Sequence, residues 1–441
     1  MTVGPLLRSP RVWHYASLVI GLLVITSLQL SQWFYFDEWS FIELDGPGLF
    51  EPHVGHWSTS PLLVYRALGA LVGEHSYLPY ALLVTIIHLA IAHLAWRLTL
   101  RSGAAPWIAT AAVAVLIFLG TGAENILWAF QIGYLGATAL GLLALWLATA
   151  ERLSWPRLAV VTAIAIVSLS WSGTAIPLVV ATAIVLLHRH GWRRTLVFVL
   201  SAGAVYLAWY ALFAIGSPSN PDTGGLSLHK LFVEMPTFLG ILLVLGFGDV
   251  FPLIGLGAVL ALAATVWGIV LIARRRLPAT ALPAVALAVA ALVFALLSAY
   301  SRAGFSVGAA LSSRYAYTVF LLLLPLLALA LTTLAQRHRW GLRIAVVAVL
   351  LLAGYQAAVL VVAADEQSAL ETESHRRISA ALSLYVEYGD SINPETRPDW
   401  QRAPDLSMGD LGALYDAGRI DIGEFSEADL ASVRHDLLLD D

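Results

Sequence analysis

Long apolar segments dominate this chain. Eleven runs of about 20 residues, the length that crosses a bilayer, follow one another between residues 12 and 364. The chain is 59% hydrophobic and only 12% charged, whereas soluble domains carry about 25% charged residues. This pattern excludes a water-soluble fold and predicts an all-α polytopic membrane protein. The predicted spans are 12–31, 78–96, 106–120, 133–150, 158–172, 174–188, 195–215, 252–273, 281–299, 314–334 and 343–364.

The formal net charge of -4 combines two parts of opposite charge. Residues 1–364 contain 19 basic and 11 acidic residues, whereas residues 365–441 contain 6 basic and 18 acidic ones. We therefore predict a transmembrane domain over 1–364 and a small, acidic, hydrophilic tail over 365–441. The tail either packs over the outer face as a lid or is partly disordered; its apolar residues favour packing. The basic residues lie in short turns between apolar runs, so no nucleic-acid partner is predicted.

The basic residues also predict the orientation of the chain. Short cytoplasmic loops collect Lys and Arg, and 15 of the 19 basic residues of residues 1–364 fall in inner segments when the N-terminus is cytoplasmic. Eleven spans then place the C-terminus outside the cytoplasm. The interrupted apolar stretch 236–250 is not counted among the eleven spans; it is either a re-entrant or interfacial element or a further span. Four basic residues remain in the outer segments: Arg66, Lys230, Arg302 and Arg314.

Several functional classes are excluded by absent residues or motifs. The sequence contains no cysteine, which rules out disulfides, thiol chemistry and Cys-ligated metals. No phosphate-binding G-x-x-x-x-G-K-[ST] loop, G-x-S-x-G elbow or H-E-x-x-H helix occurs. The predicted spans hold no Asp, Glu or Lys at mid-bilayer, and His88 and His93 are the nearest candidates for ion coupling. This distribution argues against an ion-coupled transporter.

The loop after the first span, residues 32–77, is long and rich in polar and aromatic residues. Asp37 and Glu38 follow the span closely, in the segment FYFDEWSF, where aromatic residues predict a position at the lipid–water boundary. An aromatic belt with two solvated acids is the alternative interpretation. Residues 61–73 predict a short interfacial helix. Further candidate site residues in this loop are Trp39, His53, His56, Trp57 and Arg66.

His53 and His56 also raise the question of a metal site. Two imidazoles three residues apart can share one helical face and bind a divalent cation. Pro52 and Gly55, however, predict a turn there. We therefore predict no required cofactor and no metal, with a divalent cation at these two histidines as the minor alternative.

Two further outer segments carry candidate residues. In GAENILWAFQIGY, helical spacing would place Glu124, Trp128 and Gln131 on one face, with Asn125 beside them. In SAYSRAGFSVGAALSSRYAY, Arg302 and Arg314 lie among tyrosines and could bind a phosphate bidentately. The alternative for each of these residues is interfacial packing or snorkelling.

The order of these features resembles the GT-C superfamily of integral-membrane glycosyltransferases. Its members have a signal-anchor span, an acidic pair early in a large first outer loop and many further spans, and they use polyprenyl-phosphate-linked sugars. The resemblance covers residues 1 to about 340. The segments PHVGHWSTSPLLVYRALGALVG and GAENILWAFQIGY are also similar to actinobacterial-type membrane proteins often grouped with such transferases. The resemblance to the GT-C superfamily implies that the protein lies in a bacterial plasma membrane. It also implies transfer of a sugar to a cell-envelope glycan, lipid or protein acceptor, with inversion of the anomeric configuration.

The resemblance implies that the acidic pair supplies the catalytic carboxylate. We therefore assign the general base to Asp37, with Glu38 orienting Asp37 or the acceptor. Arg302 and Arg314 are the first candidates for the donor phosphate, and Arg66 and Lys230 are reserves. A flippase or transporter of lipid-linked or hydrophobic substrates is the alternative function. The residues predicted to contact sugar or acceptor are Trp39, His53, His56, Trp57, Glu124, Asn125, Trp128 and Gln131.

Overall fold

The structure of the protein, a computed structural model, consists mainly of long apolar helices. In the part of the chain described, nine helices are long and apolar enough to cross a membrane. Pro106–Ile117 and Gly120–Leu127, bent by 50° at their junction, add a tenth if they form one span. The chain is therefore a multi-pass membrane protein. The residues described are 9–44, 46–220, 225, 227–253, 255–274, 278–304 and 306–437.

Each of the eleven predicted runs coincides with a helix, but the count of spans differs. The runs at 158–172 and 252–273 form shorter apolar helices, Trp155–Leu169 and Leu256–Ala273. Lys230–Val250, which contains the stretch not counted among the eleven predicted spans, is long and apolar enough to be a span. The helices are α1 Pro10–Gln29, α2 Trp39–Ile42, α3 Thr59–Val72, α4 Leu78–Arg101, α5 Pro106–Ile117, α6 Ala123–Leu127, α7 Ile132–Ala148, α8 Trp155–Leu169, α9 Ile176–His190, α10 Trp192–Trp209, α11 Met235–Ile241, α12 Leu256–Ala273, α13 Leu282–Arg302, α14 Ser313–Ala335, α15 Gly341–Tyr388, α16 Met408–Asp416 and α17 Glu427–Asp436.

Helix α14 is the central helix of the bundle. Residues 315–326 are all buried, and α4, α5 and α13 pack around them. The two histidines of α4 have partners inside the bundle. The Nδ1 atom of His88 lies 2.9 Å from the Tyr317 hydroxyl, and its Nε2 lies 3.1 Å from the Ile117 carbonyl. His93 lies 3.1 Å from His14 through ring nitrogens, so His88 and His93 have structural partners.

The bundle has two chemically different ends. At one end, Arg101 and Arg189 donate to the backbone carbonyls of Trp146 and Thr149, and the loop between α14 and α15 carries Arg337 and Arg339. We call it the arginine end. The opposite end, the site end, holds the loop after α1, the turn from α5 to α7 and the loop before α14. This separation follows the predicted division of charge; which end faces the cytoplasm remains a prediction.

The helical segment Lys230–Val250 lies across the site end. Lys230 Nζ lies 4.6 Å from the centre of the Tyr300 ring, and Phe238 packs on Tyr315. Further along, the Asp249 carbonyl accepts a 3.0 Å hydrogen bond from Thr121. These partners all belong to the site end, so both ends of the segment are at the same level of the bundle. This geometry agrees with an interfacial element, despite a length that would suffice for a span.

The tail packs against the first loop. Helix α15 continues through the predicted domain boundary at residue 364 and projects beyond the bundle. On this projection, Glu371 accepts a 2.9 Å hydrogen bond from the Trp33 backbone, and His375 stacks on the Trp33 ring at 3.9 Å. Arg419 forms a bidentate ion pair with the buried Glu74 of the same loop. The described part of the tail therefore covers the loop that carries the acidic pair.

The first loop is compact despite its short elements. A tight 3₁₀ turn, Phe36–Glu38, leads into α2, and an aromatic cluster that includes Trp33, Phe34 and the fully buried Trp39 fills the space below. Two antiparallel strands follow, β1 Pro52–His53 and β2 His56–Trp57. Helix α3 then lies where a short interfacial helix is predicted.

Candidate functional site

A cavity of about 110 Å³ at the site end brings several of the predicted site residues together. They come from five separate parts of the sequence: the two halves of the first loop, the turn before α7, the end of α13 and the start of α14. Both acidic and basic groups face the cavity, with histidine and amide side chains between them. The predicted residues that line it are Asp37, His53, His56, Gln131, Arg302 and Arg314.

Asp37 occupies the 3₁₀ turn that begins at Phe36. Phe36 has a φ of 52°, a value uncommon for a bulky residue, and its N–H donates to the Arg402 carbonyl of the tail. Burial and the negative charge of Asp405 raise the pKa of Asp37 to about 6, although Arg314 and Arg302 oppose this shift. A carboxylate of this pKa is ionised at neutral pH and basic enough to accept a proton.

Glu38 points away from the cavity and is completely buried. Its side chain accepts hydrogen bonds from the Tyr65 hydroxyl at 2.6 Å, from the Tyr35 backbone N–H at 2.8 Å and from the Tyr77 hydroxyl. Burial raises the pKa of Glu38 to about 8. Adjacent residues on a tight turn point to different sides, so one carboxyl of the acidic pair lines the cavity and the other is fully buried. Glu38 can therefore act on the chemistry only by holding the turn.

The two arginines of the cavity have different surroundings. Arg314 pairs with Glu124 at 3.2 Å, and Glu124 also accepts hydrogen bonds from Ser312 and the Arg314 backbone. The side chain of Arg302 has neither a hydrogen bond nor an ion pair with any residue that the structure describes. Arg314 is thus fixed by the protein, whereas Arg302 retains its full capacity to bind an anion.

His53 and His56 face each other across the two-residue hairpin. Val54 and Gly55 form its turn with φ values of 48° and 79°, and a positive φ is strained for β-branched valine. Burial lowers the pKa of His53 to about 4 and that of His56 to about 3, so both rings are neutral at pH 7. Nε2 of His53 is buried and has no hydrogen-bond partner among the described residues. A bound hydroxyl could satisfy it.

The same histidines were the candidate metal ligands. In the described parts of the chain, no group of three or more His, Asp or Glu side chains has an arrangement that could hold a metal ion. Phe41 and Phe130 enclose the His53 ring edge-to-face at 5.0 and 5.5 Å. Aromatic neighbours provide no metal ligands, so the local chemistry suits hydrogen bonding better than coordination.

The predicted common face of Glu124, Trp128 and Gln131 is partly wrong. Helix α6 ends at Leu127, and Trp128 adopts an extended backbone with a ψ of 118°. Glu124 and Gln131 still meet at 3.5 Å, but Trp128 turns towards Tyr35 and donates to its carbonyl at 3.3 Å. Asn125 is buried and donates to the Arg314 carbonyl. Glu124 and Asn125 therefore support Arg314 from behind the cavity.

The remaining predicted site residues lie outside the cavity and contact the protein itself. Arg66 donates to the carbonyls of Gly46 and Pro47 and so holds the first loop. Lys230 is buried against Tyr300. Trp39 is inside the aromatic cluster, and Trp57 stacks on Trp209 at 5.2 Å. These contacts favour structural roles for the four residues.

Several lining residues escaped the sequence interpretation. Tyr134, Trp171 and Ser172 also line the cavity. A side chain at Gly173 would come within 3.1 Å of His56 Nδ1, and glycine leaves that ring its space. The sequence feature that could have indicated these lining residues is SWSG, residues 170–173, where polar and aromatic residues interrupt two apolar runs. The other missed lining residues are Phe41, Val54, Ser58, Pro61, Phe130 and Gly133.

The cavity combines a carboxylate that can accept a proton with two arginines that can bind an anion. Neutral His53 and Gln131 add unpaired polar atoms: Nε2 of the former and Oε1 of the latter have no partner in the part of the chain described. Such a set suits a polyhydroxyl ligand with a negatively charged group. No known protein family, curated protein or solved structure matches this chain.

Proposed function

We propose that this chain is an integral-membrane glycosyltransferase that moves a sugar from a polyprenyl-phosphate donor to an acceptor hydroxyl of the cell envelope. The observation that carries the proposal is the shared cavity of Asp37, Arg302 and Arg314. These residues are far apart in sequence and belong to a charge-poor chain. Their convergence is difficult to explain by solvation of the individual groups.

In this mechanism Asp37 is the general base. Its carboxylate takes the proton of the acceptor hydroxyl while the hydroxyl oxygen forms a bond to the anomeric carbon of the donor. The bond from the anomeric carbon to the phosphate oxygen breaks, and the phosphate leaves with the electron pair. Arg302 and Arg314 stabilise the additional negative charge on the leaving phosphate. Attack opposite to the leaving group inverts the anomeric configuration.

The surrounding residues support binding rather than proton transfer. The neutral ring of His53 and the amide of Gln131 can hydrogen-bond sugar hydroxyls, and Tyr134 and Trp171 provide aromatic surface beside them. Glu124 fixes Arg314 by its ion pair. The Arg314 guanidinium is thus oriented before the donor arrives, which reduces the reorganisation needed during reaction.

The alternative of a flippase or transporter has less support. A transport path through the bundle needs polar groups that face a passage at bilayer depth. Both ring nitrogens of His88 are instead hydrogen-bonded within the protein. The acid and the arginines gather at one end of the bundle, which suits a reaction at the membrane surface.

Replacement of Asp37 tests the proposal. The purified chain, in liposomes with a cell-envelope extract as the source of acceptor hydroxyls, is given polyprenyl-phosphate arabinose, mannose, glucose and galactose in turn, and the released polyprenyl phosphate is measured. Asp37→Asn should lower turnover about 10³-fold and leave donor affinity within about twofold. Glu43→Gln, in the same loop but outside the cavity, is the matched control and should retain turnover. Full turnover by Asp37→Asn would contradict the assignment.

A further inference from the structure

A second cavity, of about 470 Å³, lies inside the bundle between α5, α12, α14 and α15. It shares no residue with the Asp37 cavity. Phe320, Leu324, Leu327, Leu331 and Leu334 line it from α14 at alternating spacings of four and three residues, which places them on one face. The cavity is therefore a groove parallel to the helix axis.

The groove is long enough to hold a lipid chain across the full depth of one leaflet. From Phe320 to Leu334 a helix rises about 21 Å, at about 1.5 Å per residue. One leaflet contributes roughly half of a hydrocarbon core that is about 30 Å thick. An acyl chain that enters from the arginine end can therefore lie along the groove over its whole depth in that leaflet.

The composition of the groove favours hydrocarbon as its content. Ala112 on α5, Ala263 on α12 and Ala328 on α14 line the groove. Their short side chains leave the space between the helices wide. An empty groove would lack the dispersion contacts of a packed interior, and apolar walls do not hold water. At bilayer depth the surrounding fluid is lipid. A lipid chain in the groove therefore has a lower free energy than water or an empty space there.

One end of the groove carries a positive charge. Arg337 lines the groove and is paired with no carboxylate in the described part of the chain. Arg339 and Arg343 nearby both contact the Trp340 ring, so the loop between α14 and α15 is basic. Acyl chains gain little by leaving the bilayer for an apolar groove, because both surroundings are apolar. The charge at Arg337 is therefore what selects the lipid.

We propose that this groove binds one anionic phospholipid, with an acyl chain along α14 and the phosphate on Arg337. The guanidinium can donate two parallel hydrogen bonds to phosphate oxygens. The lipid would hold α12 against α14, since residues of both helices form the walls. The site lies at the end of the bundle opposite Asp37, so the proposal does not depend on glycosyl transfer.

Native mass spectrometry tests the site. The full chain, delipidated in mild detergent, is incubated with an equimolar mixture of phosphatidylglycerol and phosphatidylcholine, and retained lipid is counted. The wild type should retain one phosphatidylglycerol. Arg337→Gln should lower the preference for phosphatidylglycerol about tenfold, because a charge-assisted contact is lost. Arg339→Gln, which alters a neighbouring arginine outside the groove, should keep the preference.

A second variant tests the groove itself. Ala263→Phe fills the space from the exposed side of α12 and should abolish retention of the lipid. Leu262→Phe, one residue away, exposed and outside the groove, should bind like the wild type. Equal retention of both lipids by the wild type, or unchanged retention in Ala263→Phe, would each overturn the proposal.

Discussion

The backbone N–H of Phe36 donates a 2.7 Å hydrogen bond to the carbonyl oxygen of Arg402. Phe36 has a strained positive φ and immediately precedes Asp37, whereas Arg402 belongs to the tail. The turn around Arg402 is held in place by an ion pair from its side chain to Glu373 of α15, at 2.6 Å. The tail therefore takes part in positioning the carboxylate of the cavity.

Arg402→Gln should loosen this support. Loss of the ion pair frees the turn, and a small displacement of a base reduces the rate more than it reduces binding. We expect turnover to fall several-fold with donor affinity unchanged, measured in the liposome assay. Arg434→Gln breaks another tail-to-α15 ion pair, with Glu387 at 3.6 Å, and should leave turnover intact. A fall in affinity without a fall in turnover would argue against positioning.

The dependence of activity on pH should report the raised pKa of Asp37. A base must be ionised, so kcat/KM should increase with pH through about 6 and then level off. The negative charge of Asp405 contributes to the raised value. Asp405→Asn should therefore shift the acidic limb to lower pH. Glu395→Gln, an exposed change in the same tail, should leave the limb where it is.

The two cavity arginines should respond differently to replacement. Arg302→Gln should weaken donor binding about tenfold or more with little effect on thermal stability, because Arg302 holds no described protein group. Arg314→Gln should weaken binding and also lower the melting temperature, since Glu124 loses its partner. Arg66→Gln serves as the control for charge, and its donor affinity should equal that of the wild type. Titration of donor and thermal unfolding in detergent measure both quantities.

The buried Glu38 should make stability depend on pH. Its folded pKa of about 8 exceeds the ordinary value of 4.5, so the folded state binds more protons in this interval. The stabilisation is complete below about pH 4.5 and is lost as pH rises through about 8. Glu38→Gln keeps a neutral, hydrogen-bonding side chain. We expect its melting temperature to fall less than that of the wild type between pH 6 and 9; identical slopes would contradict a neutral Glu38.

In the loops at the site end, local sequence predicts some features of the backbone and misses others. The hairpin at His53 and His56 confirms the turn that Pro52 and Gly55 predict. The break at Trp128 was missed, because apolar residues continue through it and the helical spacing remains intact. The tail's contact with Phe36 was also beyond local reasoning, since it joins residues more than 360 positions apart.

The helices and the division of charge between the two ends can be predicted from the amino-acid sequence alone. Hydrophobic length and the placement of arginines are local properties, and the bilayer acts on each segment separately. Which polar residues contact one another depends on the packing of the helices and loops. Asp37 and Glu38 are neighbours with the same chemistry, yet a 3₁₀ turn directs one into the cavity and buries the other among tyrosines. Arg302 and Asp37 line the same cavity because the end of α13, the start of α14 and the first loop lie at the same level of the bundle. This arrangement results from the packing of the helices and not from any local sequence pattern.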